Sequence, residues 1–140
     1  MKNPSYVYLC GGINGLNDSQ CKDWRQVAKS LLVIPTLDPM RRDYRGIEGG
    51  NVNEIVHGDI RDLESSEFVL VNATRPSWGT AMEVRAAWSE YGLTVVSFVE
   101  DSKVSPWLAY HSSRIVKTVE EGAEVINNLY SERAKYDSFC

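Results

Sequence analysis

The chain is poor in the residues that build metal centres and disulfide frameworks: 140 residues hold only three cysteines and two histidines. Cys10, Cys21 and Cys140 form no CxxC pair, and any disulfide scheme leaves one of them over. His57 and His111 have no recognisable metal partners in sequence. No bound metal and no organic cofactor are therefore expected, and a reduced, cytoplasmic protein is the plain reading. Cys10 lies in an apolar run and reads as a core thiol. Long apolar runs are also missing. None approaches the ~18 residues of a membrane span, and Met1-Lys2-Asn3-Pro4 does not open a signal peptide. Basic excess is missing too: 15 Lys and Arg face 19 Asp and Glu, a net charge of −4. Neither a nucleic-acid polymer nor an anionic membrane suits such a surface as main partner, whereas a small anion in a local pocket does. GxGxxG, P-loop and GxSxG patterns are absent, and no repeat occurs.

What remains is one domain's length, read as a single domain over 1–140 with a frayed tail after about 134. Short apolar runs alternate with amphipathic stretches. Tyr6–Cys10, Val33–Leu37, Phe68–Val71, Leu93–Phe98 and Ile115–Val116 read as strands. Pro35 lacks a donor and suits a sheet edge. Asn17 or Asp18 can cap a helix whose apolar face carries Trp24, Val27, Ala28, Leu31 and Leu32. A second helix spans about Asn51 to Leu63, burying Val52, Ile55, Val56, Ile60 and Leu63. A third runs from about Gly79 to Tyr91 and stops at Gly92. Ser105 caps a short one with Pro106 at its first position, and Val119 to about Arg133 forms the last. Strands alternating with helices mean a parallel α/β sheet, which binds ligands beyond the carboxyl ends of its strands. The loops Gly11–Gly15, Asp38–Tyr44 and Asn72–Gly79 are the places to look.

Gly11-Gly12-Ile13-Asn14-Gly15 is either a tight strand-to-helix turn or a cradle of backbone N–H groups for an anion. Ser77 and Gly79 offer a hydroxyl and backbone donors at the next junction. Glu83, one helical turn on, is either a surface glutamate or a carboxylate facing the crevice. Asp59 and Asp62 lie on the preceding helix. Arg61, Asp62 and Glu64 look like a solvated face, which leaves Asp59 as the acid worth singling out for general acid/base work. Arg41-Arg42-Asp43-Tyr44-Arg45 is the densest basic cluster, either a salt-bridged loop or a ligand contact.

Taken in order, Tyr8-Leu9-Cys10-Gly11-Gly12, Asp59 before Phe68-Val69-Leu70-Val71, Ser77-Trp78-Gly79-Thr80-Ala81-Met82-Glu83, and Ser105-Pro106-Trp107-Leu108 resemble the signature of the nucleoside 2'-deoxyribosyltransferase family. The resemblance covers nearly the whole chain. It implies a flavodoxin-like three-layer α/β fold with a five-stranded parallel sheet, and cleavage of N-glycosidic bonds through a covalent glycosyl-enzyme. By that resemblance Glu83 is the nucleophile, Tyr8 positions it, and Asp59 donates a proton to the leaving base. Ser77 stands where transferases acting on free nucleosides usually carry aspartate; serine is what the nucleotide-hydrolysing branch carries, that of the 2'-deoxynucleoside 5'-phosphate N-hydrolases. A serine hydroxyl beside the Gly79 N–H can donate to a phosphate that an aspartate would repel. Asn14 stands where that branch has arginine. Ser105 matches a position inserted into the neighbouring subunit's site, which implies a homodimer or larger homo-oligomer. Asp38-Pro39-Met40-Arg41-Arg42-Asp43 resembles the base-side loop of the cytidylate-hydrolysing branch.

The expectation is therefore an N-glycoside hydrolase of (deoxy)nucleoside 5'-monophosphates. Gly11, Gly12, Asn14, Ser77, Gly79 and a partner's Ser105 would hold the phosphate, with Asp38, Met40, Arg41 and Arg42 on the base side. A deoxyribosyltransferase that exchanges bases is the alternative, and a non-catalytic nucleotide-binding module a second one.

Overall fold

The computed structural model describes residues 5–101 and 103–138; Cys140 lies outside them. Five strands form one wholly parallel sheet: β1 (Val7–Gly11), β2 (Thr36–Leu37), β3 (Phe68–Asn72), β4 (Thr94–Phe98) and β5 (Arg114–Val116). Their spatial order is β2-β1-β3-β4-β5, the doubly wound arrangement of flavodoxin-like folds. The order reverses at β1 and β3, whose carboxyl ends splay their connections to opposite sides and open a crevice.

Alternation along the strands supplies two cores. Val7, Leu9, Phe68, Leu70, Val96 and Phe98 face α1 (Asp18–Leu31) and α5 (Val119–Ser138). Tyr8, Cys10, Val69, Val71 and Val95 face α2 (Val52–Glu64) and α3 (Trp78–Ser89). Phe68–Val71 is buried on both faces, as its unbroken apolar run requires. Asn17 caps α1: its carboxamide oxygen accepts from Gln20 N at 2.8 Å, and the Gln20 side chain accepts in return from Asn17 N at 3.0 Å. Gly92, at φ +61°, ends the α3 turn in a conformation other side chains resist. The Leu93 N–H returns to Ala87 O at 2.9 Å. Ser105 caps α4 (Pro106–Tyr110) by accepting from Trp107 N.

Several expectations change. β2 sits at the sheet edge but has only two residues, because Val33 faces solvent and Pro35 has no N–H to pair. Two 3₁₀ turns, Pro39–Arg41 and Glu48–Gly50, lie within the loop that follows it. Leu31, Val52 and Val56 are exposed rather than buried. On α2 the buried positions are Gly58, Asp62 and Leu63. Helix α5 continues through Ser138, past Arg133 and the residues expected to fray. Among the described residues no helix is long and apolar enough to cross a membrane.

Candidate active site

Tyr8, the second residue of β1, meets Glu83 on α3, and the charge of Asp59 on α2 acts on both. The Tyr8 hydroxyl donates to Glu83 Oε2. Cys10, two residues along the same strand face, places its thiol 3.9 Å from Glu83 Oε1 and 3.9 Å from Thr80 O. Gly79 lies beside the same carboxylate, since a Cβ there would stand 3.9 Å from Glu83 Oε1. The carboxylate is thus held by a phenol at one oxygen and bordered by a thiol at the other.

Electrostatics make this carboxylate unusual. Burial first, and then the charge of Asp59, raise Glu83 from an ordinary 4.5 to about 8, against the opposing hydrogen bond from Tyr8 and the charge of Arg25. Burial and the Glu83 charge also hold the Tyr8 phenol well above its usual value, so it remains a donor. Burial raises Asp59 as well, opposed by a hydrogen bond from Arg42. The Asp59 charge thus works against ionisation of Glu83.

The residues expected to hold an anion fall into two groups. Gly12 and Ser77 meet: a Cβ on Gly12 would stand 3.8 Å from Ser77 Cβ and 3.2 Å from Leu16 Cδ1. Ser77 Oγ caps α3 by accepting from Thr80 N at 3.3 Å, leaving its own proton to donate. Gly11 is required by packing instead, because a Cβ there would come within 2.7 Å of Trp24 Cζ2. Asn14 is exposed. Ser105, also exposed, lines a cavity of about 1010 Å³ together with Ser77, Trp78, Arg85 and Trp107. None of Tyr8, Asp59 or Glu83 lines that cavity, which lies between α3 and α4.

Of the residues expected on the base side, Arg42 Nη2 donates to Asp59 Oδ1 at 3.2 Å and to Asp62 Oδ2 at 2.7 Å, while Arg41 Nη2 donates to Asp62 Oδ1 at 2.8 Å. Gly58 permits this, since a Cβ there would stand 3.1 Å from Arg42 Nε. Asp62 is buried and doubly paired, not part of a solvated face. Met40 donates its N–H to Asp38 Oδ1 at 2.8 Å. The Asp38 carboxylate is taken up by that amide, by Lys29 Nζ at 2.5 Å and by Arg25 Nε at 3.5 Å.

Arg25 is the other residue the sequence reading passed over. Val7 N donates to Pro35 O on the β2 side, so the carbonyls of Leu9 and Gly11 face the same edge, where β2 has already ended. The wholly buried Arg25 guanidinium fills that gap. It donates to Gly11 O at 3.1 Å, Leu9 O at 3.4 Å and Cys21 O at 2.7 Å, and lies 4.5 Å from the centroid of the Trp24 ring. Helical spacing held the signal: Cys21, Trp24, Arg25 and Ala28 share one face, and so do Asp59, Asp62 and Leu63.

No group of three or more His, Cys, Asp or Glu side chains suited to a metal ion occurs among the described residues. No protein-family model and no curated protein matches the sequence. Among solved structures, the chain resembles the 2-deoxyribosyltransferase of the psychrotolerant bacterium Bacillus psychrosaccharolyticus, with a TM-score of 0.67 at 15% identity. The match covers 89% of this chain and 91% of that one. At this identity the likeness is one of fold.

Proposed function

We propose that the chain cleaves the N-glycosidic bond of a (deoxy)nucleoside or its 5'-monophosphate through a glycosyl ester on Glu83. The observation that carries this reading is the buried Glu83 carboxylate, held by the Tyr8 hydroxyl within the field of Asp59. An oxocarbenium-like transition state needs a carboxylate on one face of the sugar and a proton for the departing base. The reactive form is the one in which Glu83 is ionised and Asp59 carries the proton; in the first step a Glu83 oxygen then bonds to the anomeric carbon and the carbon–nitrogen bond breaks. Its electron pair leaves with the base, which takes a proton from Asp59. In the second step an acceptor attacks the same carbon, gives its proton to Asp59, and Glu83 departs as carboxylate.

The acceptor is either a second base or water. Likeness to a solved 2-deoxyribosyltransferase favours transfer. Ser77, beside Gly12 and at the open N-terminus of α3, favours a phosphorylated substrate and hydrolysis. One experiment separates them: a deoxynucleoside or its monophosphate, with and without a free acceptor base, followed by chromatography. Base exchange on the unphosphorylated nucleoside selects the transferase. Base release that needs the phosphate but no acceptor selects the hydrolase. Nucleotide binding with no base released in either arm would refute both and leave a binding module. Glu83→Gln is expected to abolish turnover.

A second copy of the chain is proposed to cover the cavity between α3 and α4. Trp78 and Trp107 beside it are 85% and 75% exposed, with Met82 and Tyr110 exposed nearby, an apolar face of the kind that marks an interface. Ser105 on this face is then placed to reach a neighbour. Sedimentation of the wild type and of Trp107→Ser tests it: a monomeric wild type refutes the assembly.

A further inference from the structure

Asp62 has no place in the two-step reaction just described, yet it is the most buried acid next to it. Each of its oxygens holds a different arginine: Oδ1 takes Arg41 Nη2 at 2.8 Å and Oδ2 takes Arg42 Nη2 at 2.7 Å. The same Arg42 nitrogen reaches Asp59 at a longer 3.2 Å. One guanidinium nitrogen is thus divided between two carboxylates, with the shorter contact to the one that does no chemistry. We propose that Asp62 is a positioning residue, which draws Arg42 away from Asp59 and pins the 38–42 loop to α2.

The proposal rests on the reading of Asp59 as proton donor. A donor must carry its proton when the base departs, and an arginine committed to Asp59 would hold it ionised instead. Asp62 counters this in two ways: it competes for the guanidinium, and its own negative charge opposes ionisation of Asp59. The remaining groups that face Asp59 come from every element around it. Arg25 lies on α1 and favours the ionised form, while Tyr8 and Cys10 on β1 and Glu83 on α3 share its field. Of these, Asp62 alone acts directly on the Arg42 contact. Arg41 completes the device, because its hold on Oδ1 limits how far Asp62 can take Arg42.

The arrangement gives opposite signs for two substitutions. With Asp62→Asn, Arg42 turns fully to Asp59, and the Asp59 ionisation midpoint falls by about one pH unit, the lower end of what a neighbouring charge produces. With Arg41→Met, at a half-exposed position, Asp62 pairs with Arg42 alone and the Asp59 midpoint rises. Carbon-13 NMR titration of aspartate-labelled full chain reads this directly, with the Asp59 signal assigned by Asp59→Asn. The alkaline limb of kcat/KM for base release is expected to move the same way as the NMR midpoint in each variant. An unmoved Asp59 midpoint in folded Asp62→Asn, or a fall in Arg41→Met, overturns the proposal; a merely structural role for Asp62 would lower stability without either movement. Should Asp62→Asn not fold, the sign from Arg41→Met decides. If the wild type releases no base from any substrate, the proposed function fails, while the titration still shows whether Asp62 governs Asp59.

Discussion

Glu83→Gln is expected to yield a protein that is inert and more stable, with a stability gain that grows with pH. The folded chain keeps the Glu83 proton up to about pH 8, whereas an unfolded chain releases it near 4.5. Between those values the native state binds more protons than the unfolded state, so stability falls as pH rises and levels off above the upper value. The contribution of the protonated carboxyl is fully present below 4.5 and gone above about 8. At 1.36 kcal/mol per pH unit, the loss is on the order of 3 kcal/mol by pH 7 and about 4–5 kcal/mol by pH 8. Glutamine has nearly the same shape, still offers an oxygen to the Tyr8 hydroxyl, and does not ionise. Urea unfolding of both proteins at pH 5, 6, 7 and 8 is the assay, with the midpoint of Glu83→Gln moving ahead of wild type step by step. A difference independent of pH, or a variant less stable throughout, would refute burial as the cause of the raised value.

Ser77→Asp should keep the fold, because aspartate caps a helix as well as serine does. It should raise KM for a nucleoside monophosphate more than tenfold and spare the unphosphorylated nucleoside; equal effects on both substrates would remove Ser77 from the phosphate site. Arg25→Met should cost about 1–3 kcal/mol in chemical denaturation, since it leaves the carbonyls of Leu9 and Gly11 without this donor while Asp38 keeps Lys29. A loss under 1 kcal/mol, about the size of an exposed ion pair, would show that the buried cation is not needed.

The strands that bury both faces were readable in the sequence, because a run such as Phe68–Val71 has only one environment that suits it. Capping was readable in part: Ser105 before Pro106 carries its own local chemistry, whereas the choice between Asn17 and Asp18 was decided by the bonds Asn17 makes with Gln20. Hydropathy could not tell how far β2 runs, since Val33 and Ile34 look like strand while Pro35 prevents the pairing. Nor could it place Val52 and Val56, whose spacing fits a core that α2 does not offer there; Gly58 under Arg42 sets the approach of that helix. The Tyr8–Glu83 contact joins residues 75 apart in sequence, which hydropathy alone does not pair. Arg25 and Asp62 were missed because charged side chains read as surface unless their helical face is followed residue by residue.

The two-residue length of β2 sets how the rim of the site can move. Past Leu37 no ladder of backbone bonds continues along β1. Residues 38–42 are fastened instead by side chains, through Arg25 and Lys29 to Asp38 and through Arg41 and Arg42 to α2. A ladder opens only by unzipping the sheet, whereas separate tethers let go one at a time. The rim and the sheet therefore have separate lifetimes, and amide exchange in residues 38–42 should be faster than in β1 or β3 by orders of magnitude. Under the proposed reaction, a rim that opens while the floor stays shut would let a base leave as the sugar remains in place.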